Sequence, residues 1–256
     1  WPFSSGVDPS QWNFVGGIVH DAKDKPIEQR CFLVAAGDYR VIDTWHAAGL
    51  RGTGSKDIEM KDVFVPAHRT LPLSALVGGT APGCATNPAP LYKLPVLGLF
   101  AFVVSGVSLG LARGAIGDFT QQMHSRIATY SGRRLADLAN LQLKIGEASA
   151  LADTAEALML KDCDEAMAIT EAGVPTTIEQ KARWRRNGAY AASLCTEAVN
   201  LLFAATGGGG VYLNQPIQRA FRDAHAANAH YALSWDVNGT QWGRIALGLP
   251  AEAVVL

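Results

Sequence analysis

The sequence predicts an α+β protein, with an antiparallel β-domain (barrel or sandwich) followed by an antiparallel four-helix bundle. Three observations predict it. Before residue 95, short apolar runs alternate with clusters of Gly, Asp and Pro. After it, long stretches carry helical periodicity with few breakers. The chain has 256 residues, 48% hydrophobic and 18% charged, which is globular composition and enough for one large domain or two modest ones. The boundaries are therefore 1–95 for the β-domain, with 74–95 as its linker, and 96–256 for the bundle.

In chain order, the strand candidates are 14–19, 31–35, 40–44 and 57–65, separated by turn signals such as Asp24-Lys25-Pro26 and Gly37-Asp38. Residues 57–63 alternate cleanly, which predicts one wet face and one dry face. Residues 74–95 hold four prolines and a Gly-Gly pair, the composition of a loop. A first helix is predicted from 97 to about 129, and a second over 134–171 on the pattern Leu135, Leu138, Leu141, Leu143, Ile145. Gly173-Val174-Pro175 stops the second, because proline cannot continue a helix. Thr177 with Gln180 has capping-box spacing and opens a third helix to about 205. A fourth starts near Gln215 and holds residues 222–235. Four long helices with short connections predict an antiparallel bundle.

Charge and cysteine usage exclude several classes. The net charge is −1 and the 22 basic residues are scattered, so neither nucleic acid nor an anionic membrane is an expected partner. The run Lys181 to Arg186 reads as a solvated or inter-helix face. The most apolar stretch, 94–111, contains Pro95 and three glycines and runs into Arg113, as a core helix would. Cys31, Cys84, Cys163 and Cys195 form no CxxC pair, which suits reduced thiols in a cytoplasmic protein. No basic-then-apolar leader opens the chain; it starts Trp1-Pro2-Phe3-Ser4-Ser5-Gly6, without an initiator Met, like the middle of something longer. His225 and His230 are five apart, about 140° around a helix, so no metal site is expected from them. No GxGxxG fingerprint follows a strand, so NAD(P)H is not expected to bind this chain.

Three stretches carry a family resemblance. Gly49-Leu50-Arg51-Gly52-Thr53-Gly54-Ser55, continuing through Asp57-Ile58-Glu59-Met60-Lys61-Asp62-Val63-Phe64-Val65-Pro66, is similar to the long β-domain motif of acyl-CoA dehydrogenases, with Met60 where an aromatic is usual. The opening Trp1 to Gly6, with Trp12, resembles the Ser-Ser-Gly version found in two-component flavin monooxygenases. Arg222-Asp223-Ala224-His225, continuing to His230 after a glycine run, resembles the last dehydrogenase motif but has a His where dehydrogenases carry a catalytic Glu. The chain thus resembles the acyl-CoA dehydrogenase superfamily, in its reduced-flavin-dependent aromatic monooxygenase branch. The family's N-terminal helical domain is missing from this numbering.

The resemblance implies an oxygenase component that takes reduced FMN or FAD from a separate NAD(P)H:flavin reductase. With O2 it would hydroxylate an aromatic, phenolic substrate through a C4a-hydroperoxyflavin, the cofactor supplying the hard step and the protein excluding water. It implies that Ser5, with Ser4 as its less favoured neighbour, places a hydroxyl at flavin N5, where an ordinary turn serine is the alternative. Trp1 or Phe3 would lie near the isoalloxazine. His230 would stabilise the peroxy group or act on the phenol, unless it is a buried histidine bonded to a carbonyl. His225 would cap the substrate pocket or face another helix. Arg126, in the run Arg126-Ile127-Ala128-Thr129-Tyr130-Ser131-Gly132, would bind flavin phosphate or be solvated. Gly207, Gly208 and Gly209, after Thr206, would let backbone N–H groups reach that phosphate or merely cap a helix. In relatives that turn reaches a neighbouring subunit's flavin, which implies a homo-oligomer, usually a tetramer. The alternatives are an acyl-CoA dehydrogenase with bound FAD, for which Asp236 lies too late and Glu197 would have to serve, an amino-sugar N-hydroxylase, and a flavin-free truncated scaffold subunit.

Overall fold

Strands give way to helices at residue 96 in the computed structural model, which describes residues 1–128 and 131–252. The chain divides there into two units, Trp1–Val96 and one beginning at Leu97.

In the first unit, β1 (Trp12–His20) and β2 (Pro26–Ala35) form an antiparallel hairpin, turned by Asp21, whose carboxylate accepts the Lys23 and Lys25 N–H groups at 2.8 and 3.0 Å. A separate antiparallel pair joins β3 (Arg40–Ile42) to β4 (Asp57–Glu59). A short β5 (Thr70–Pro72), absent from the sequence reading, extends the hairpin in the order β1-β2-β5. Its proline sits on an edge strand, where the missing N–H costs no ladder bond. Val7, Val15, Val34 and Ile58 form the core of this unit. The expected strand over 57–65 stops at Glu59, because Asp62 takes the left-handed φ of 52° and breaks the extended run. Residues 73–93 wind through three short 3-10 turns.

The second unit holds α1 (Val96–Ser125), α2 (Ala139–Glu171), α3 (Ile178–Ala205), α4 (Pro216–Asn228) and α5 (Trp235–Ala246). The capping box is formed as expected: Thr177 Oγ1 accepts from Gln180 N, and Gln180 Oε1 accepts from Thr177 N. α3 is the central helix, with Trp184, Cys195, Val199 and Leu202 fully buried and α2, α4 and α5 packed against it. Alanines at 148, 152 and 155 give α2 a flat buried stripe. At Gly188 a Cβ would stand 2.6 Å from the Ala101 Cβ, so α1 and α3 approach as closely as glycine permits. By length and composition α1 could also cross a membrane. In this fold its stripe Ala101, Phe102, Ser105, Ser108, Ala112, Ala115, Phe119 is buried.

The predicted fourth helix is two helices, so the described residues contain five rather than four. α4 ends at Asn228; His230 is extended (φ −65°, ψ 135°) and caps a 3-10 turn, Tyr231–Leu233, before Ser234 caps α5. Asp223 therefore lies within α4 and His230 beyond its end. α1 ends at Ser125 rather than near 129, and an isolated bridge pairs Ile127 with Arg134; Thr129 and Tyr130 lie outside the described residues.

Candidate functional site

The loop from Trp1 to Gly6 is strapped along residues 53–58 by backbone bonds: Ser4 N to Lys56 O at 2.8 Å, Gly6 N to Thr53 O at 2.8 Å, and Ile58 N to Trp1 O at 2.9 Å. That strapping separates the two serines. Ser4 is buried and its Oγ accepts from Asn13 Nδ2 at 3.1 Å, while Ser5 is exposed. Ser5 Oγ lies 2.8 Å from Ser55 Oγ, which lies 2.7 Å from Thr53 Oγ1, which in turn donates to the Leu50 carbonyl at 2.9 Å.

Phe3 stands beside Ser5 with φ 59°, a strained value for an aromatic residue, and is 70% exposed. Its ring meets Trp45 edge to face at 6.3 Å, and Trp45 Nε1 donates to Leu50 O at 3.0 Å. Trp1 is 49% exposed and lies over Gly16, where a Cβ would stand 3.2 Å from its ring. One loop thus presents two exposed aromatics and a hydroxyl together. Sequence reading missed Trp45, Thr53 and Ser55 as supports; Thr53 and Ser55 were legible as motif hydroxyls, Trp45 was not.

The second unit holds two adjoining cavities, the smaller with Arg126 in its wall. Arg126, Asn140, Thr206 and Gly207 line a cavity of about 270 Å³. Asn140, Leu141, Ala205 and Gly207 also line a larger one of about 590 Å³, which reaches Lys144, Glu197 and Asn200. A Cβ on Gly209 would stand 3.0 Å from the Arg126 guanidinium, and one on Gly210 would overlap the Thr206 hydroxyl, so these two positions need glycine, while Gly207 and Gly208 face open space. Among the described residues no carboxylate pairs with Arg126, whereas Arg113 is held by Asp153 and Glu156, Arg134 by Asp137, and Arg183 by Glu165. An unpaired planar donor fork beside bare backbone suits a phosphate, so these residues fit the phosphate end of a flavin nucleotide.

The two histidines are held differently. His225 Nε2 lies 2.9 Å from Asn200 Oδ1, with its ring 4.5 Å from that of Phe221. Asn200 itself lines the larger cavity, so His225 is tied to a wall of that cavity. His230 Nδ1 accepts the Ala232 N–H at 3.1 Å, and its ring lies 6.1 Å from that of Phe100. An accepting Nδ1 assigns the proton to Nε2, giving a neutral imidazole with one N–H left to donate. The residue as a whole is exposed, yet partial desolvation of the ring pushes its pKa below the usual histidine value, the direction the Nδ1 bond also favours.

Behind His230, Asn238 Nδ2 donates to Ala232 O (3.1 Å) and Ser234 O (2.8 Å), and the buried Arg185 donates to Asn238 Oδ1 at 3.3 Å. The charged run is therefore an inter-helix face: Arg186 bonds Asn187 and lies over Trp242 at 4.5 Å. Glu197 lies on the Lys144 and Gly207 side of the unit, and Asp236 in the first turn of α5.

Comparison with known proteins gives concordant results. The family model for the acyl-CoA dehydrogenase C-terminal domain matches residues 102–235. The oxygenase subunit HsaA of a flavin-dependent monooxygenase from Mycobacterium tuberculosis is 34% identical over 98% of this chain and 64% of its own length. The oxygenase component of an FADH2-dependent resorcinol hydroxylase from Rhizobium sp. is 34% identical over 97% of this chain and 63% of its own. This chain thus spans slightly less than two thirds of these curated relatives. Among solved structures, 3-HSA hydroxylase from Rhodococcus sp. RHA1 superposes with a TM-score of 0.93 at 32% identity, covering 100% of this chain and 66% of that one. XiaF from Streptomyces sp., in complex with FADH2 and glycerol, gives 0.88 at 26% identity, covering 100% and 65%.

Proposed function

Since the chain belongs to the acyl-CoA dehydrogenase C-terminal-domain family, we propose that it acts within the oxygenase component of a two-component flavin-dependent monooxygenase, using reduced FMN or FAD and O2 to hydroxylate an aromatic, phenolic substrate. The names of its relatives support the class. The observation that carries the chemistry is His230: its Nδ1 accepts the Ala232 N–H, which leaves Nε2 to donate, in the stretch where the resemblance implies a dehydrogenase's carboxylate base.

Bound reduced flavin would supply the oxygen chemistry. Ser5 would hydrogen-bond at flavin N5, with Trp1 and Phe3 shielding the ring from water and Ser4 anchoring the loop. Arg126 and the backbone of Gly207, Gly208 and Gly209 would hold phosphate. His230 would donate from Nε2 to negative charge developing on oxygen, of the substrate or of the transferring group. His225, tied to Asn200, would shape the larger neighbouring cavity, or cap the substrate pocket. A separate NAD(P)H:flavin reductase and assembly into a homo-oligomer, a tetramer by resemblance, complete this reading. The finer architecture that goes with it is a β-barrel or sandwich over 1–95 and an antiparallel bundle beyond, supported by the antiparallel pairings and by the packing of α2, α4 and α5 on α3.

The test is stopped-flow reoxidation. Anaerobically reduced FMN or FAD, mixed with the chain and then with oxygenated buffer, should reoxidise measurably more slowly than the free flavin and pass through a persistent near-ultraviolet transient. Reoxidation at the free-flavin rate would sink the monooxygenase reading.

A further inference from the structure

The chain of hydroxyls behind Ser5 runs in one direction only. The Leu50 carbonyl can accept and cannot donate, so the Thr53 hydroxyl proton is committed to it at 2.9 Å. With that proton used, the 2.7 Å contact between Thr53 and Ser55 requires Ser55 to be the donor. The 2.8 Å contact between Ser55 and Ser5 then requires Ser5 to donate inward. Ser5 is left with lone pairs only on its exposed side. Ser55 is buried, at 5% exposure, so water does not offer it another partner as readily.

From this polarity we propose that Thr53 and Ser55 are positioning residues that make Ser5 an obligate hydrogen-bond acceptor, and so select the reduced flavin over the oxidised one. The inference rests on the flavin reading above. Reduced flavin carries a proton on N5 and can donate to Ser5. Oxidised flavin presents a lone pair there, which meets the Ser5 lone pairs and gains no bond. An isolated serine would rotate and serve either state equally well, since a hydroxyl both donates and accepts. Selection of redox state would therefore reside in the two motif hydroxyls, neither of which needs to touch the cofactor.

Equilibrium binding of FMN and of FAD, each measured anaerobically in the reduced and oxidised states, tests this without turnover. The wild-type chain should prefer the reduced form. Ser55→Ala and Thr53→Val should shrink the ratio of the two dissociation constants by about threefold to tenfold, the worth of one hydrogen bond. Ser55→Thr keeps the hydroxyl and should keep the ratio. Ser5→Ala should shrink it as far as Ser55→Ala does. A ratio that falls in Ser5→Ala but stands unchanged in both Ser55→Ala and Thr53→Val overturns the relay and leaves the flavin reading in place. A wild-type chain that binds neither redox state overturns both. Should Ser55→Ala not fold, the nearly isosteric Thr53→Val carries the comparison.

Discussion

His230 shows how much a single backbone contact can decide. The Ala232 N–H on Nδ1 sets the tautomer, and protonation of the ring would turn two donors toward each other. The folded pKa is lowered from its usual value near 6.5, so the neutral ring contributes stability that is present above about pH 6.5 and lost as pH falls through the lowered pKa. The hydroxylation proposed above should decline over the same acidic window. His230→Phe should lower its rate about 10²-fold, the usual cost of one donor to a developing negative charge, with a smaller loss for His230→Gln, whose amide can still donate. A pH–rate profile with an unaltered acidic limb in His230→Gln would show that another group titrates. His230 and Ser5 could be named as candidates from the sequence because each sits in a motif, and Arg126 by a looser match. Trp45 and Asn238 were not, since they act by propping other residues through contacts that no local pattern encodes.

At the scale of elements, local signals were readable and tertiary ones were not. The start of α3 is written in Thr177 and Gln180, two residues that cap each other. The break between α4 and α5 is not, because Ala229-His230-Tyr231 contains no helix breaker. The break is held by Asn238, which binds the carbonyls of Ala232 and Ser234, and by the His230 side chain, contacts available only once the chain has folded back. Gly188 makes the same point energetically. Glycine to alanine in a helix interior normally gains about 1 kcal/mol. Here the new methyl would stand 2.6 Å from the Ala101 Cβ, and overpacking costs about 1–3 kcal/mol. Gly188→Ala should therefore lower the urea midpoint, and an unchanged or raised midpoint would mean that α1 and α3 part freely at this crossing.

Across the molecule, the order of strands first and helices second was visible in composition alone, with the change of texture at 95 and the first helix starting at Val96. The pairing of β5 was not, because a three-residue edge strand ending in proline carries too little pattern. A buried carboxylate was equally hidden: Asp162 on α2 is 1% exposed and accepts from Asn187 Nδ2 on α3 at 2.6 Å, and Asn187 in turn accepts from Arg186, which covers Trp242 of α5. Burial raises the Asp162 pKa against the opposing pull of Asn187 and Arg183. The folded state therefore keeps a proton that the unfolded chain releases above about pH 4, and stability falls as pH rises from there through the raised pKa. Asp162→Asn should melt higher than wild type at neutral pH, with the gap closing toward pH 4; a gap that widened on acidification would reverse the sign. The Leu50 carbonyl, finally, gathers three donors: the Trp45 indole, the Thr53 amide and the Thr53 hydroxyl. Each donor softens the C=O stretch, so this one peptide bond is a built-in vibrational reporter. An isotope label placed there would register any tug transmitted from Ser5, in the infrared and without help from a chromophore.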